Sequence, residues 1–526
     1  MSARILSAAL IALTLGACGS TPAEEEHEVV ENGRTGGDEV VARHSEPPPS
    51  ATPRDVHLPP VTRTTLENGL EIDAVPTASS FPLVYLRLVI RSGLASDPAN
   101  MPGMASMVAN MLKEGTRART SAEIAENVEF LGADLSVNAD SMQTVVQIRG
   151  TADQMDEMMA ILADITLNPR FDNGELTRLK RRELERLMVT YSDPSQVGRR
   201  EFFRALYGAH PYNHLDATPD GIGRMRRTDL VNWHRTHYVP GNAFLVIAGA
   251  VTPEAARAAA ESAFGSWRAR AVPTLTLPAV PARTGREVIV VHRPGSQQTV
   301  INIGNLAIAR SDEDWIPLEV ANHILGGSAS SRLFMDLRER RSLTYGAYSS
   351  VDEMVAAGPF RARAGIGRDP SQPDADRSDA AMVAFMEHLT AITTVAPSAD
   401  EVRDATQYLS DSFPLSIDTI GRVAWMVAYL RLFGLPDDYW DGYRSGIRAV
   451  TAEQALAAAR AHIDPEHALI VVVGDSDLVT PAMRRWGPVR VVAMDDGHEI
   501  SRFPAETSAP ADGPATPPGG PGPTAD

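Results

Sequence analysis

Two His pairs in this chain have the spacing of metal ligands. His210 and His214, in HPYNH, stand four residues apart, and His234 and His237, in WHRTH, stand three apart. Imidazoles at such intervals on one helix face can share a metal ion. Pro211 and the turn-like composition around it argue against a helix at the first pair. The plainer reading of all four is surface or loop His with local hydrogen bonds. Met101, Met104, Met107 and Met111 recur at helical spacing, and core packing explains them better than metal or cofactor binding.

Cys18 is the only Cys of the chain. It closes an N-terminus in which MSAR, a short basic region, precedes the apolar stretch ILSAALIALTLGAC, of signal-peptide rather than bilayer-spanning length. Leu15, Gly16, Ala17 and Cys18 resemble the bacterial lipobox, where cleavage precedes the Cys and its thiol receives a lipid. The competing reading is a plain signal peptide with an incidental Cys. A lone exported thiol needs an explanation, and acylation supplies one. Gly19 rather than Asp follows, which by resemblance to the bacterial sorting pattern favours the outer membrane, facing the periplasm. No later segment reaches about 18 uninterrupted apolar residues, so the lipid is expected to be the anchor.

The elements that must position any site lie between two tails. At 526 residues the chain is long enough for roughly two to four domains. Its 43% hydrophobic content supports a folded body, and a net charge of −18 argues against general affinity for nucleic acid or anionic lipid. After the signal peptide with its lipobox (1–18), residues 19–60 are acidic and Pro-rich and read as a disordered tether; residues 503–526 read as a similar tail. Residues 266–286, with Pro273, Pro278 and Pro281 and no amphipathic period, read as an interdomain linker. On either side, 61–265 and 287–495 look like divergent copies of one unit. GNAFLVIAGAVTPEAARAAAESAFGSW closes the first and EHALIVVVGDSDLVTPAMRRWGPV closes the second, each a strand, a turn and a helix ending near a Trp. FPLVYLRLVIRSG leads to a helix from about Gly103, and SQQTVINIGNLA to one from about Asp314. SAEIAENVEFLGA, with Ser121 at a capping position, predicts a helix. ADLSVNADSMQTVVQIRG alternates like a hairpin, and FDNGELTRLKRRELERLMVTYSDPS predicts a long charged helix stopped by Asp193-Pro194.

Four stretches, in order across both halves, resemble the pitrilysin/insulinase family of inverted-motif zinc peptidases. They are TTLENGLEIDAVP, RSGLASDPANMPGMASMVANMLKEGT, HPYNHLDATPDGIGRMRRTDLVNWHRTHYVPGNAFLVIAGAV and LGGSASSRLFMDLRERRSLTYGAYSS. The likeness covers about Thr64 to Val492. In the family's H-x-x-E-H motif two His bind zinc and the Glu between them is the general base. Here GMASMVANMLKEGT puts Ser106, Ala109 and Asn110 at those places. A hydroxyl and an amide are poor zinc ligands, and Ala cannot take a proton from water. The family's third ligand, a Glu on a later helix, aligns with Arg186, whose guanidinium cannot coordinate zinc. Glu183 and Glu185 are read as facing other directions. The R-x-x-x-x-L-x-Y signature is intact as Arg338 and Tyr345. In the family this pair reaches toward the substrate backbone and donates hydrogen bonds to a carbonyl oxygen as it gains charge. The competing reading makes them packing residues at a helix-to-strand corner, and Arg340 and Arg341 beside them read as solvated.

The resemblance implies an α+β fold of two homologous domains, each a mostly antiparallel sheet with helices packed on one face, enclosing a chamber. In two-subunit members one subunit carries H-x-x-E-H and the other the Arg/Tyr pair. The leading expectation is therefore a non-catalytic lipoprotein subunit with no cofactor of its own, zinc being expected only in a homologous partner. Extended peptides would bind to a partner sheet edge, whose counterpart here lies near Gly132 to Asn138. Two other readings stand beside it: a peptide-binding or structural envelope lipoprotein without a peptidase role, and an active peptidase with unusual ligands.

Overall fold

The computed structural model describes residues 57–77, 81–368, 377–494 and 497–506. The signal sequence, Cys18, the tether up to residue 56 and the tail from residue 507 lie outside the described residues. The first half runs Thr62–Thr65 (β1), Glu71–Pro76 (β2), Leu83–Ile90 (β3), Met104–Met111 (α1), Ser121–Phe130 (α2), Asp134–Ala139 (β4), Thr144–Thr151 (β5), Met155–Leu167 (α3), Asn173–Ser192 (α4), Pro194–Tyr207 (α5), Pro219–Arg224 (α6), Arg227–His237 (α7), Ala243–Gly249 (β6) and Pro253–Phe264 (α8). Its sheet has the order β1-β2-β6-β3-β5-β4, with β2 and β6 parallel and the other pairs antiparallel.

The second half runs Glu287–His292 (β7), Gln298–Leu306 (β8), Trp315–Asn322 (α9), Arg332–Phe334 (α10), a π-helical turn over Met335–Arg340, Thr344–Val351 (β9), Pro359–Gly367 (β10), Ser378–Thr394 (α11), Ala399–Ser412 (α12), Ile420–Phe433 (α13), Tyr439–Ala449 (α14), Ala452–His462 (α15), Leu469–Gly474 (β11), Ser476–Met483 (α16), Val489–Val492 (β12) and Glu499–Phe503 (β13). The order β13-β12-β7-β11-β8-β10-β9 repeats that of the first sheet, β7, β11, β8, β10 and β9 taking the places of β2, β6, β3, β5 and β4. β7 and β11 are parallel, as β2 and β6 are. Both sheets are mostly antiparallel.

Strand periodicity explains why each sheet has two apolar faces. On β3, Leu86, Leu88 and Ile90 join the core formed with α1, α3, α7 and α8, whereas Val89 faces the other way. On β8, Ile301 and Ile303 face the core under α9 and α11, and Val300 faces the opposite side. A sheet apolar on both faces must be covered on both. Each half supplies the cover for the other. Val423, Ala424, Val427 and Ala428 of α13 pack on Val75, Val89, Phe244 and Val246 of the first sheet. Val197, Phe202 and Phe203 of α5 pack with Ile289, Val300, Val471 and Val473 of the second. The helices of each sheet therefore lie mainly on one face, and the second face receives one helix from the opposite half.

Polar contacts fix this exchange. Arg431 of α13 bonds Glu71 at 2.5 Å and Asp73 at 3.4 Å on β2, and Arg63 reaches Asp73 at 2.9 Å and Asp437 at 3.0 Å. Burial pushes the Asp73 carboxyl up, against the pull of Arg431 and Arg63. The approach of α5 needs a glycine: a Cβ on Gly198 would stand 2.6 Å from Asn302 Nδ2 and 3.2 Å from Val473. Gly198→Val is expected to lower stability by about 1–3 kcal/mol through overpacking, read from the denaturant midpoint. A midpoint unchanged from wild type would show that α5 does not seat there.

Three local features differ from the sequence reading. The helix read from Ser121 is capped by Thr120, which exchanges bonds with Glu123 in a capping box. Asp193-Pro194 does stop α4, and it also starts α5, with Asp193 accepting from Ser195 N and Pro194 in the first turn, where proline is tolerated. The second sheet continues past residue 495: after a turn at Gly497, β13 pairs antiparallel with β12 through Phe503. No single helix among the described residues is long and apolar enough to cross a membrane.

Candidate functional site

α1 begins at Gly103, whose φ of +91° and missing Cβ admit the chain beside Ala217. Asp97 holds this helix start, accepting from Gly103 N at 2.7 Å and Ala105 N at 2.8 Å. Burial pushes its carboxyl up to about 7, against those backbone bonds. The first turn of α1 carries Ser106, half-buried; Ala109 is fully buried and Asn110 half-buried one turn on. Ser106 and Asn110 share one helix face by their spacing of four.

α4 packs beside α1 and contributes the acid that meets Asn110. Asn110 Nδ2 donates to Glu183 Oε1 at 3.4 Å. Arg186 donates to the other Glu183 oxygen at 2.8 Å and to Asp216 at 3.5 Å. Burial works against the Arg186 charge, yet Glu183 and Asp216 raise its pKa above the usual value. Glu183, read as turned away, faces the α1 site, and Arg186 neutralises it from the next turn. Positions three apart on a helix differ by only about 60° around its axis, so the two compete for one face.

This donor set does not fit zinc. It offers one carboxylate, already paired with a guanidinium, beside a hydroxyl and an amide, and no base at Ala109. The site can hold its two helices together by polar contacts. Ala109, at the place of the general base, has no group to take a proton from water.

Arg338 lies in the π-helical turn Met335–Arg340 and Tyr345 near the start of β9, the outer strand of its sheet. The structure brings them together: Arg338 Nη1 donates to the Tyr345 carbonyl at 2.7 Å. The guanidinium also lies 5.0 Å from the Phe334 ring centre and 3.3 Å from Glu339. Tyr345 is 87% exposed, which argues against a packing role for its ring. The exposed Tyr345 ring can offer its hydroxyl to an incoming carbonyl, and Arg338, exposed although Nη1 and Nε already have partners, can add a donor from the rest of its guanidinium. Arg341, read as solvated, is instead half-buried between Asp336 and Glu387, while Arg340 is exposed.

Neither His pair makes a metal site with neighbouring acids. His210 Nδ1 accepts from Tyr212 N at 3.0 Å and sits between the Tyr207 and Tyr212 rings. His234 Nε2 bonds Thr166 O at 2.8 Å, and His237 Nδ1 bonds Trp233 O at 3.0 Å. Burial lowers the pKa of all four, His234 to about 4. Met104, Met107 and Met111 are core residues. A cavity of about 860 Å³ is lined by residues 278–287, the end of α5 and Arg490, and includes none of Ser106, Asn110, Arg338 or Tyr345.

Comparison with known proteins places the sequence and the fold beside one family. The model described as insulinase (peptidase family M16) matches residues 75–215, and the model described as peptidase M16 inactive domain matches residues 224–409. An uncharacterized zinc protease of Mycobacterium leprae is 28% identical over 307 residues, 57% of this chain and 67% of the relative. An uncharacterized zinc protease of Streptomyces coelicolor is 24% identical over 408 residues, 76% of this chain and 86% of the relative. The crystal structure of a peptidase M16 inactive domain from Pseudomonas fluorescens superposes with a TM-score of 0.73 at 26% identity, covering 79% of this chain and 98% of that one. A protease from Helicobacter pylori shares the fold, with a TM-score of 0.72 at 19% identity over 79% of this chain and 100% of that one. With the two models matched one after the other between residues 75 and 409, the chain is a homologue of the insulinase peptidase family, M16.

Proposed function

We propose that this insulinase-family homologue is a non-catalytic subunit that pairs with a zinc-bearing homologue for peptide hydrolysis in the cell envelope. One observation carries the reading: the metal place holds Ser106, Ala109 and Asn110 with Glu183 tied to Arg186, while Arg338 and Tyr345 stand together and exposed. The first site lacks the two His ligands and a base at Ala109, and its one carboxylate is tied to Arg186, whereas the second retains two hydrogen-bond donors suited to a peptide carbonyl. The partner supplies the metal and the attacking water; this chain supplies Arg338 and Tyr345 to the shared substrate. Among the described residues β4, the outer strand of the first sheet, pairs only with β5 and leaves an edge for an extended peptide. Residues 1–18 make the chain an exported bacterial lipoprotein, acylated at Cys18 and held at the outer membrane on its periplasmic side.

The reading is tested on the purified chain from residue 57 onward. Alone it should contain no stoichiometric zinc and cleave no peptide. Mixed with a zinc-bearing homologue from the same genome, it should elute as a stable complex on gel filtration. Metal-dependent cleavage by the isolated chain would sink the non-catalytic assignment. Failure to associate with any such homologue would leave the alternative, a peptide-binding or structural envelope lipoprotein, in its place.

A further inference from the structure

β9 and β10 do not run in register along their whole length. Ala347 pairs with Ala364 and Thr344 with Ile366, so Tyr345 and Gly346 together stand opposite the single residue Gly365. An extra residue on one strand is a β-bulge, which bends the strand and re-aims the side chain it carries. Thr344 holds this one together. Its hydroxyl accepts from Gly346 N at 3.1 Å and lies 2.7 Å from the Gly365 carbonyl and 3.0 Å from that of Gly346, to one of which it donates. A single side chain thereby ties both strands across the irregularity.

The rest of the corner is built on the same bulge. Gly346 leaves room for the Tyr348 ring, since a Cβ there would stand 2.7 Å from it. Tyr348 packs on Phe334 with ring centres 5.6 Å apart, and Phe334 is the ring under the Arg338 guanidinium. Arg338 closes the circuit by bonding the carbonyl of Tyr345 itself. Both donors thus take their position from the backbone at residues 344–346.

We infer that Thr344 is the positioning residue of the Arg338–Tyr345 pair: its hydroxyl fixes the bulge that turns Tyr345 outward and presents the carbonyl on which Arg338 rests. The inference rests on the proposed role of that pair in a shared peptidase site. It adds a requirement of its own, that a residue touching no substrate sets the geometry of two that do. Thr344→Val keeps the shape of the side chain and removes the hydroxyl, leaving Gly346 N and the Gly365 carbonyl without their partner. Thr344→Ser restores it.

The test reads position and turnover separately. The full chain is labelled with 3-fluorotyrosine, and the Tyr345 resonance is assigned by its loss in Tyr345→Phe. Thr344→Val should shift or broaden that resonance and Thr344→Ser should return it to the wild-type frequency. An unmoved resonance in Thr344→Val overturns the inference whatever the partner does. In the complex with the zinc-bearing homologue, Thr344→Val should lower kcat by about 10- to 100-fold with KM within about twofold, the signature of misplaced groups rather than lost binding. If Arg338→Ala lowers turnover and Thr344→Val does not, positioning by Thr344 is wrong and the pair's role stands. If Arg338→Ala is itself silent, the parent reading fails, and the fluorine resonance still decides whether Thr344 holds the corner.

Discussion

A chain carrying Ser106→His and Asn110→His is expected to bind one zinc ion per molecule, and the wild type is expected to bind none. The two positions share a face of α1, and the Asn110 amide already lies 3.4 Å from Glu183. Two imidazoles one turn apart and a facing carboxylate make a three-ligand zinc site. Arg186 opposes it, because its guanidinium holds the same carboxylate at 2.8 Å and adds positive charge. Adding Arg186→Gln should therefore tighten zinc by about tenfold, the loss of one charge-assisted bond competing for the ligand. Adding Glu183→Gln instead should abolish stoichiometric binding. Metal content after dialysis and a competition titration with a chelating dye would read these differences. A double-His chain as free of zinc as wild type would show that Glu183 does not face the α1 site. Zinc that survives Glu183→Gln would place the third ligand elsewhere. Neither result restores hydrolysis, since Ala109 still supplies no base.

That pair of outcomes turns on a residue the sequence could not place. Glu183, Glu185 and Arg186 sit within one turn of a helix charged on several faces, and matching a family pattern along the chain leaves the register of α4 against α1 open. Contact decides it. The fold itself was far more legible, because period-2 alternation on β3 and β8 and the repeated strand-turn-helix endings at 243–264 and 469–483 depend on local sequence alone. Alternation also marks Val75, Val89 and Val246 as apolar on the second face of their sheet. It does not say what covers them. The exchange of α5 and α13 was invisible for that reason: Val197, Phe202 and Phe203 declare a buried face, and only the tertiary structure assigns it to the opposite sheet. β13 escaped because a five-residue edge strand between a Gly turn and a Pro-rich tail has too few residues to show a period. The bulge at Tyr345 and Gly346 was hidden too, since nothing in LTYGAYSS marks a skipped register until β10 is laid beside it.

In the complex with a zinc-bearing homologue, Arg338→Ala is expected to lower kcat/KM by about 10²- to 10³-fold, mostly through kcat, the range for removing one preorganised donor from a developing oxyanion. Arg338 is a good candidate for such a loss because little else depends on it. Its side chain is half-exposed, and its contacts within the fold are the Tyr345 carbonyl, the Phe334 ring and Glu339. Thermal stability should accordingly move little, which separates lost chemistry from lost folding. Arg338→Lys retains the charge but replaces a planar fork with a point donor, so it should recover only part of the rate. Tyr345→Phe removes one hydroxyl from a ring that is 87% exposed and should leave the complex intact while slowing turnover. The alternative envelope role predicts the opposite pattern: association with the homologue absent, or turnover in the complex indifferent to all three substitutions. An Arg338→Ala complex that assembles and keeps the wild-type kcat/KM would remove this chain from the peptidase site. The corner at residues 334–348 would then be a structural joint, and the exposure of Tyr345 would need another ligand to explain it.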